Sequence, residues 1–158
     1  MIKKIISAFL ALLLCFSFAS CSDEPVYSHC ELTIPLPNSF SKIENQDFDV
    51  TYTDGETAVA ILRISFEAGL NSGISNLMSA SEFGEYWLER CEREASIVKG
   101  STVYCEYYET QGSHEQYYLE AFYRSKYAYF VVLFATAAEN REKNVGKYRE
   151  YADGVIFT

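Results

Sequence analysis

The sequence predicts an α+β fold: an antiparallel sheet of about six to eight strands with two main helices packed on it. Most of the chain beyond residue 30 reads as short extended runs separated by turn signals, and only two stretches carry helix periodicity behind a capping residue. Strand runs that follow one another with few helices between them pair antiparallel, whereas a parallel sheet alternates strand and helix. The run Tyr127–Thr136 is apolar on both faces, Tyr129/Val131/Leu133 on one and Phe130/Val132/Phe134 on the other, so the sheet needs cover on each side. A length of 158 residues, 49% of them apolar and 16% aromatic, suits one such domain and is too short for two comfortable cores.

The elements follow in order. Glu31–Pro37 is extended, and Pro35 and Pro37 place it at a sheet edge, because proline cannot donate to a ladder. Phe40–Ile43 is a second short extended piece, with Glu44-Asn45-Gln46 as a turn. Phe48, Val50 and Tyr52 alternate with polar residues, which predicts a strand with one wet face, and Asp54-Gly55 is a hairpin turn. Thr57–Glu67 is a largely apolar strand. Ala68–Met78, rich in Gly, Asn and Ser, reads as a loop of about eleven residues, a simple connection first and, by its length, a candidate binding loop second.

Ser79 and Glu82 have capping-box spacing and start a helix. Its apolar stripe is Phe83, Trp87 and Cys91 with Tyr86 beside them, opposite Glu85, Glu89, Glu92 and Arg93. Three strands come next: Thr102–Glu109, Glu115–Arg124 and Tyr127–Thr136, joined at Gln111-Gly112-Ser113 and Ser125-Lys126. Thr136 and Glu139 repeat the capping-box spacing before a second helix with Arg141, Val145, Tyr148 and Ala152 inward. Asp153-Gly154 stops it, and Val155–Phe157 supplies a last short strand.

The first twenty residues differ from the rest. Lys3 and Lys4 precede an apolar run, Ile5–Phe18, broken only by Ser7 and Ser17. As a helix it spans roughly 21 Å, short of the ~30 Å hydrocarbon core, so it reads as a secretory signal peptide over residues 1–20. Phe18-Ala19-Ser20-Cys21 resembles the lipobox of bacterial lipoproteins. That resemblance implies a diacylglyceryl group on Cys21, cleavage before it, and a protein lipid-anchored outside the cytoplasm to the bacterial cell membrane or outer membrane. Ser17-Phe18-Ala19 also fits ordinary cleavage and free secretion. Residues 21–29 read as the lipidated Cys and its tether, and 30–158 as the single domain.

The formal net charge is −9, and removal of the signal takes two of the 13 basic residues with it. An acidic body without a basic stripe argues against nucleic acid, and anionic head groups repel it, so acyl chains and not a surface patch are expected to hold it at the membrane. Of five cysteines, Cys15 leaves with the signal and Cys21 takes the lipid. Cys30, Cys91 and Cys105 remain, an odd number, without a C-x-x-C pair, and read as small buried residues.

The run Ile34-Pro35-Leu36-Pro37-Asn38-Ser39-Phe40, the helix carrying Phe83 and Trp87, and the closing Gly154-Val155-Ile156-Phe157 after a helix together resemble the PsbP/Mog-type α+β sandwich. Plant members of that family attach to the photosystem II oxygen-evolving complex and others bind a protein partner. The resemblance implies a non-enzymatic accessory role and transfers no binding residue.

Signatures of chemistry are sparse. His29 and His114 form no ligand pair, no glycine-rich phosphate loop or G-x-S-x-G occurs, and neither a metal nor a cofactor is expected. Asp47, Asp49, Asp54 and Glu56 cluster about a hairpin, but their spacing is not that of an EF-hand. Tyrosine is the abundant type, with Tyr104, Tyr107, Tyr108, Tyr117, Tyr118, Tyr123, Tyr127 and Tyr129 on three consecutive strands. Tyr104, Tyr108 and Tyr118 are the candidate contacts for an envelope protein or glycan, since tyrosine joins apolar area to a polar tip. The competing expectation is that these rings pack under the helices. A small hydrolase or ligand-binding protein using the 68–78 loop is the alternative function.

Overall fold

The computed structural model describes residues 27–158, with the backbone alone at residues 27–29 and at Gln111. The signal segment, the cleavage site and Cys21 lie outside the described residues. The strands are β1 (Tyr27–His29), β2 (Leu32–Ile34), β3 (Ser41–Ile43), β4 (Val50–Thr53), β5 (Ala58–Ser65), β6 (Val98–Lys99), β7 (Val103–Gln111), β8 (His114–Arg124), β9 (Ala128–Ala137) and β10 (Ile156–Phe157). The α-helices are α1 (Phe66–Asn71), α2 (Ala80–Arg90) and α3 (Arg141–Asp153).

Seven strands form the main sheet in the order β3-β4-β5-β9-β8-β7-β6, and β1-β2-β10 form a small one. Every pairing is antiparallel. The expected α+β sheet with two main helices is therefore present. The doubly apolar run is β9, between β5 and β8, and both its faces are buried. On one face Tyr117, Leu119, Phe130, Val132 and Phe134 pack under Tyr148 and Ala152 of α3 and under Leu32 and Ile34 of the small sheet. On the other, Tyr118, Phe122, Tyr129 and Val131 pack under Phe83 and Leu88 of α2.

Local chemistry explains several boundaries. The Asp54 carboxylate accepts from the Glu56 and Thr57 N–H groups at 3.0 and 2.7 Å and closes the β4–β5 turn, where Gly55 has φ +90°. Gly112 takes φ +62° as the first residue of the two-residue β7–β8 turn. At α2 the Ser79–Glu82 capping box forms, the Ser79 N–H donating to Glu82 at 2.7 Å and the Glu82 N–H to Ser79 at 3.2 Å.

Several expectations are corrected. Tyr27–His29, read as tether, form β1, because Cys30 turns the chain at φ 54° and returns it to pair with β2. β2 is then the central strand of the small sheet, with Pro35 and Pro37 beyond its end, so no ladder bond is lost to them. β4 has no wet face: Thr51 is as buried as Val50 and Tyr52. The 68–78 stretch begins inside α1, for which Ser65 is the cap, its hydroxyl accepting from the Ala68 N–H at 3.2 Å. Ile74 is buried and the Ser72–Ile74 amides bond back to Gly69 and Leu70. Thr136 caps nothing. β9 runs through it, its hydroxyl donates to the Glu56 carbonyl at 3.2 Å, and a 3-10 turn (Ala138–Asn140) leads into α3. In α3 the buried positions are Asn144, Tyr148 and Ala152, with Arg141 and Val145 half-buried. Cys30 is exposed, while Cys91 and Cys105 are buried.

Candidate functional site

The polar side chains of the middle sheet gather on β7 and β8, one cluster on each face. Strand alternation sends Tyr104, Glu106 and Tyr108 to the α3 face and Cys105, Tyr107 and Glu109 to the α2 face, and register puts Tyr117 opposite Tyr108, and Tyr118 opposite Tyr107.

On the α3 face Glu106 accepts from Arg141 at 3.0 Å and from Arg149 in a shorter contact. The guanidiniums also lie over the rings of Tyr117 and Tyr104, at 5.2 and 5.5 Å. Burial raises the Glu106 pKa, but the two guanidiniums outweigh it and hold the carboxyl below its ordinary value. Beside this cluster is a cavity of about 190 Å³. Val98, Leu119 and Ala152 give it apolar walls, and Thr102, Arg149 and Asp153 give it polar ones. The Ser101 hydroxyl donates to Asp153 at 2.6 Å and holds that carboxyl below its ordinary value. Drug-sized ligands occupy cavities of about 300–1,000 Å³, so this one suits a single side chain of a partner.

On the α2 face Glu120 is buried between Tyr118 and Phe122, and Arg93 reaches it from beyond the end of α2. Arg93 is therefore not on the outer helix face, as its spacing suggested. α2 stops at Arg90, and the chain turns at Glu92, φ 53°, so that the guanidinium points inward. It also lies 3.5 Å from Glu109 and 4.6 Å over the Tyr107 ring. Desolvation pushes the Glu120 carboxyl up, and the Arg93 charge offsets part of that rise. Desolvation likewise raises Cys105, whose Sγ is 4.0 Å from Glu120, and pushes the Cys91 thiol up to about 11. Thiols held protonated are poor nucleophiles.

The three candidate tyrosines are separated by this arrangement. Tyr108 is 50% exposed, Tyr104 is half-buried beside Arg149 and the cavity, and Tyr118 is 0% exposed under α2 with its ring stacked on Tyr107. Tyr118 cannot meet a partner in this fold, because odd and even positions of a strand face opposite ways. The acidic hairpin is also dispersed: Asp49 accepts from the Arg63 N–H at 2.6 Å, Asp54 closes its turn, and Glu56 accepts from Lys143 and Asn144. Among the described residues no three His, Cys, Asp or Glu side chains gather as a metal site. His114 is the first residue of β8, not a turn residue. The Arg93–Glu120 and Arg141–Glu106–Arg149 groupings escaped sequence reasoning. Their signal was present only as Glu120 and Glu106 inside otherwise apolar strands.

No protein-family model matches the chain, and no curated protein sequence matches it. Solved structures do. A Bacteroides thetaiotaomicron protein superposes with TM-score 0.59 at 11% identity, over 87% of this chain, which spans only 49% of that protein's length. The solution structure of cyanobacterial PsbP from Synechocystis superposes with TM-score 0.53 at 10% identity, over 91% of this chain and 99% of that one. At such identities the likeness concerns the backbone alone, and the chain has a PsbP-like α+β fold.

Proposed function

We propose that this chain is an extracytoplasmic lipoprotein, anchored through acyl chains on Cys21, whose folded body is a non-enzymatic accessory module that binds an envelope protein or glycan. The observation that carries the reading is the N-terminal pattern: two lysines, the apolar run Ile5–Phe18, then Phe18-Ala19-Ser20-Cys21. The PsbP-like fold supports the accessory role by analogy of architecture. Among the described residues no helix is long and apolar enough to cross a membrane.

Tyr108, Tyr104 and the cavity beside Arg149 form the partner face of this reading, a half-exposed aromatic pair rimmed by charge. The alternative, a hydrolase or ligand-binding protein working through residues 68–78, has less support. The Tyr86 hydroxyl donates to the Ser72 carbonyl at 3.0 Å, and the Tyr129 hydroxyl lies 2.8 Å from the carbonyls of both Ser75 and Met78, so the segment is stitched to α2 and to the sheet as a connection.

Intact-mass spectrometry of the protein from bacterial membranes tests the anchor. A chain starting at an acylated Cys21 is expected, and a mature chain without acyl groups overturns the reading. Crosslinked pull-down from intact membranes tests the partner face. A species captured by the parent and lost with Tyr104→Ala/Tyr108→Ala is expected, and equal capture moves the contact elsewhere.

A further inference from the structure

The exposed apolar side chains are unevenly placed. Among the described residues seven large ones stand exposed, and five of them, Leu70, Leu77, Tyr127, Ile156 and Phe157, belong to one end of the domain. The other two, Val98 and Tyr108, are on β6 and β7. Contacts made by these residues or their neighbours place them at this end. The Phe66 N–H donates to the Tyr127 carbonyl at 3.0 Å, and Leu70 is one helical turn beyond Phe66. Arg124 donates to the Asn76 carbonyl at 3.1 Å and lies 5.3 Å over the Phe66 ring, which places Leu77 next to the β8–β9 turn. Phe157 packs 5.5 Å from Phe130, near the start of β9.

We propose that this end of the domain rests on a lipid bilayer, with Leu70, Leu77 and Tyr127 at head-group depth. The proposal rests on the lipid-anchor reading for what brings the domain to the membrane and on the geometry for which end it presents. The described chain begins at Tyr27, and the turn after β1 is fixed to this end by the Ser125–Glu31 hydrogen bond and by the Thr158 N–H donating to the Glu31 carbonyl at 3.0 Å. Residues 21–26 reach at most about 21 Å from Tyr27. β8, with 11 residues, is about 35 Å long, so the Gly112 turn at its far end lies much farther from the turn after β1 than the Ser125 turn does.

The side-chain types fit an interface. Tyr127 carries Lys126 4.9 Å over its ring, and Arg124 flanks it, a pairing of aromatic body and snorkelling cation suited to the head-group layer. Exposed acids stand toward the same end, Glu67 on α1 and Glu44 and Asp49 before β4. Apolar insertion, not attraction to anionic lipid, is therefore the driving contact, and zwitterionic vesicles suffice.

Hydroxyl-radical footprinting tests this with an internal control, since Tyr127 and Tyr108 are chemically identical and 56% and 50% exposed. With the processed protein anchored sparsely on phosphatidylcholine vesicles, Tyr127 is expected to oxidise about threefold more slowly relative to Tyr108 than it does without vesicles. Leu70→Ser/Leu77→Ser is expected to restore the ratio. A ratio unmoved by vesicles overturns the proposal. So does a ratio that falls with protein concentration in the absence of lipid, which would assign the patch to a second copy. If intact mass finds no acyl chain, the anchor reading fails separately. The unanchored chain is then titrated with excess vesicles, where a falling ratio supports the membrane contact and a flat one overturns it.

Discussion

Glu120 sits in the interior on a strand whose neighbours on the same face are Tyr118 and Phe122, and Arg93 answers its charge. Removing one member of a buried pair strands the other, at a cost of about 3–5 kcal/mol. Arg93→Met is expected to destabilise the domain on that scale near neutral pH and less in acid. Burial already holds the Glu120 carboxyl above its ordinary value, and loss of the guanidinium raises it further. A carboxyl whose folded pKa exceeds its unfolded one contributes stability that is present below the unfolded pKa and is lost as pH rises through the folded pKa. Urea midpoints of the variant are therefore expected to fall more steeply than those of the parent as pH rises above the ordinary carboxylate range. Equal slopes would show that the pair does not act as described. Arg93→Met/Glu120→Leu removes both charges and is expected to recover most of the loss.

α2 approaches the sheet closely at Gly84. A Cβ there would come within 2.9 Å of both Ile97 Cδ1 and Phe122 Cδ2. Gly84→Ala is expected to destabilise by about 1–3 kcal/mol through overpacking, despite alanine's better helix propensity. A thermal melt decides, since a gain in midpoint would mean the helix has room to move out. α3 is held to β7 by Arg141–Glu106–Arg149, and here the sign of the pH effect reverses. A carboxyl held below its ordinary value contributes stability that is present above its unfolded pKa and is lost as pH falls through the folded pKa. Glu106→Gln is expected to lower stability near neutral pH and to flatten the loss between about pH 5 and about pH 3. Melts across that range give the comparison, and an unaltered acid limb would assign acid sensitivity to other carboxylates.

For the molecule as a whole, closure of the core under α2 can be read from three thiols. Cys30 is exposed, whereas Cys91 and Cys105 are buried and held protonated. Maleimide is expected to modify Cys30 in the folded protein and the other two only on unfolding, with their labelling rates tracking urea concentration. Prompt labelling of Cys105 would mean that the α2 layer opens locally, because Cys105 is on the sheet face that layer covers. Cleavage and acylation at Cys21 remain the molecule-scale proposal that fixes where this body works.

The fold class was legible because it depends on local pattern. The doubly apolar β9, the Asp54-Gly55 turn and the Ser79 capping box each act within a few residues, and each formed where its pattern lay. The misread elements were those decided at a distance. Thr136 turned its hydroxyl to Glu56, eighty residues away, instead of capping a helix, and Thr51 was buried where alternation read a wet face. The candidate contacts divided the same way. Strand alternation already put Tyr104 and Tyr108 together, but whether a ring stays wet depends on which helix crosses above it, and α2 covered Tyr118 on one face while α3 left Tyr108 open on the other. By itself the sequence determined the class of fold, most turns and the N-terminal pattern, since these need only neighbours along the chain. Which charges were buried and paired, and which apolar side chains gathered at one end, was decided only in the tertiary structure, where strand register and helix crossing bring together residues that have no relation in sequence.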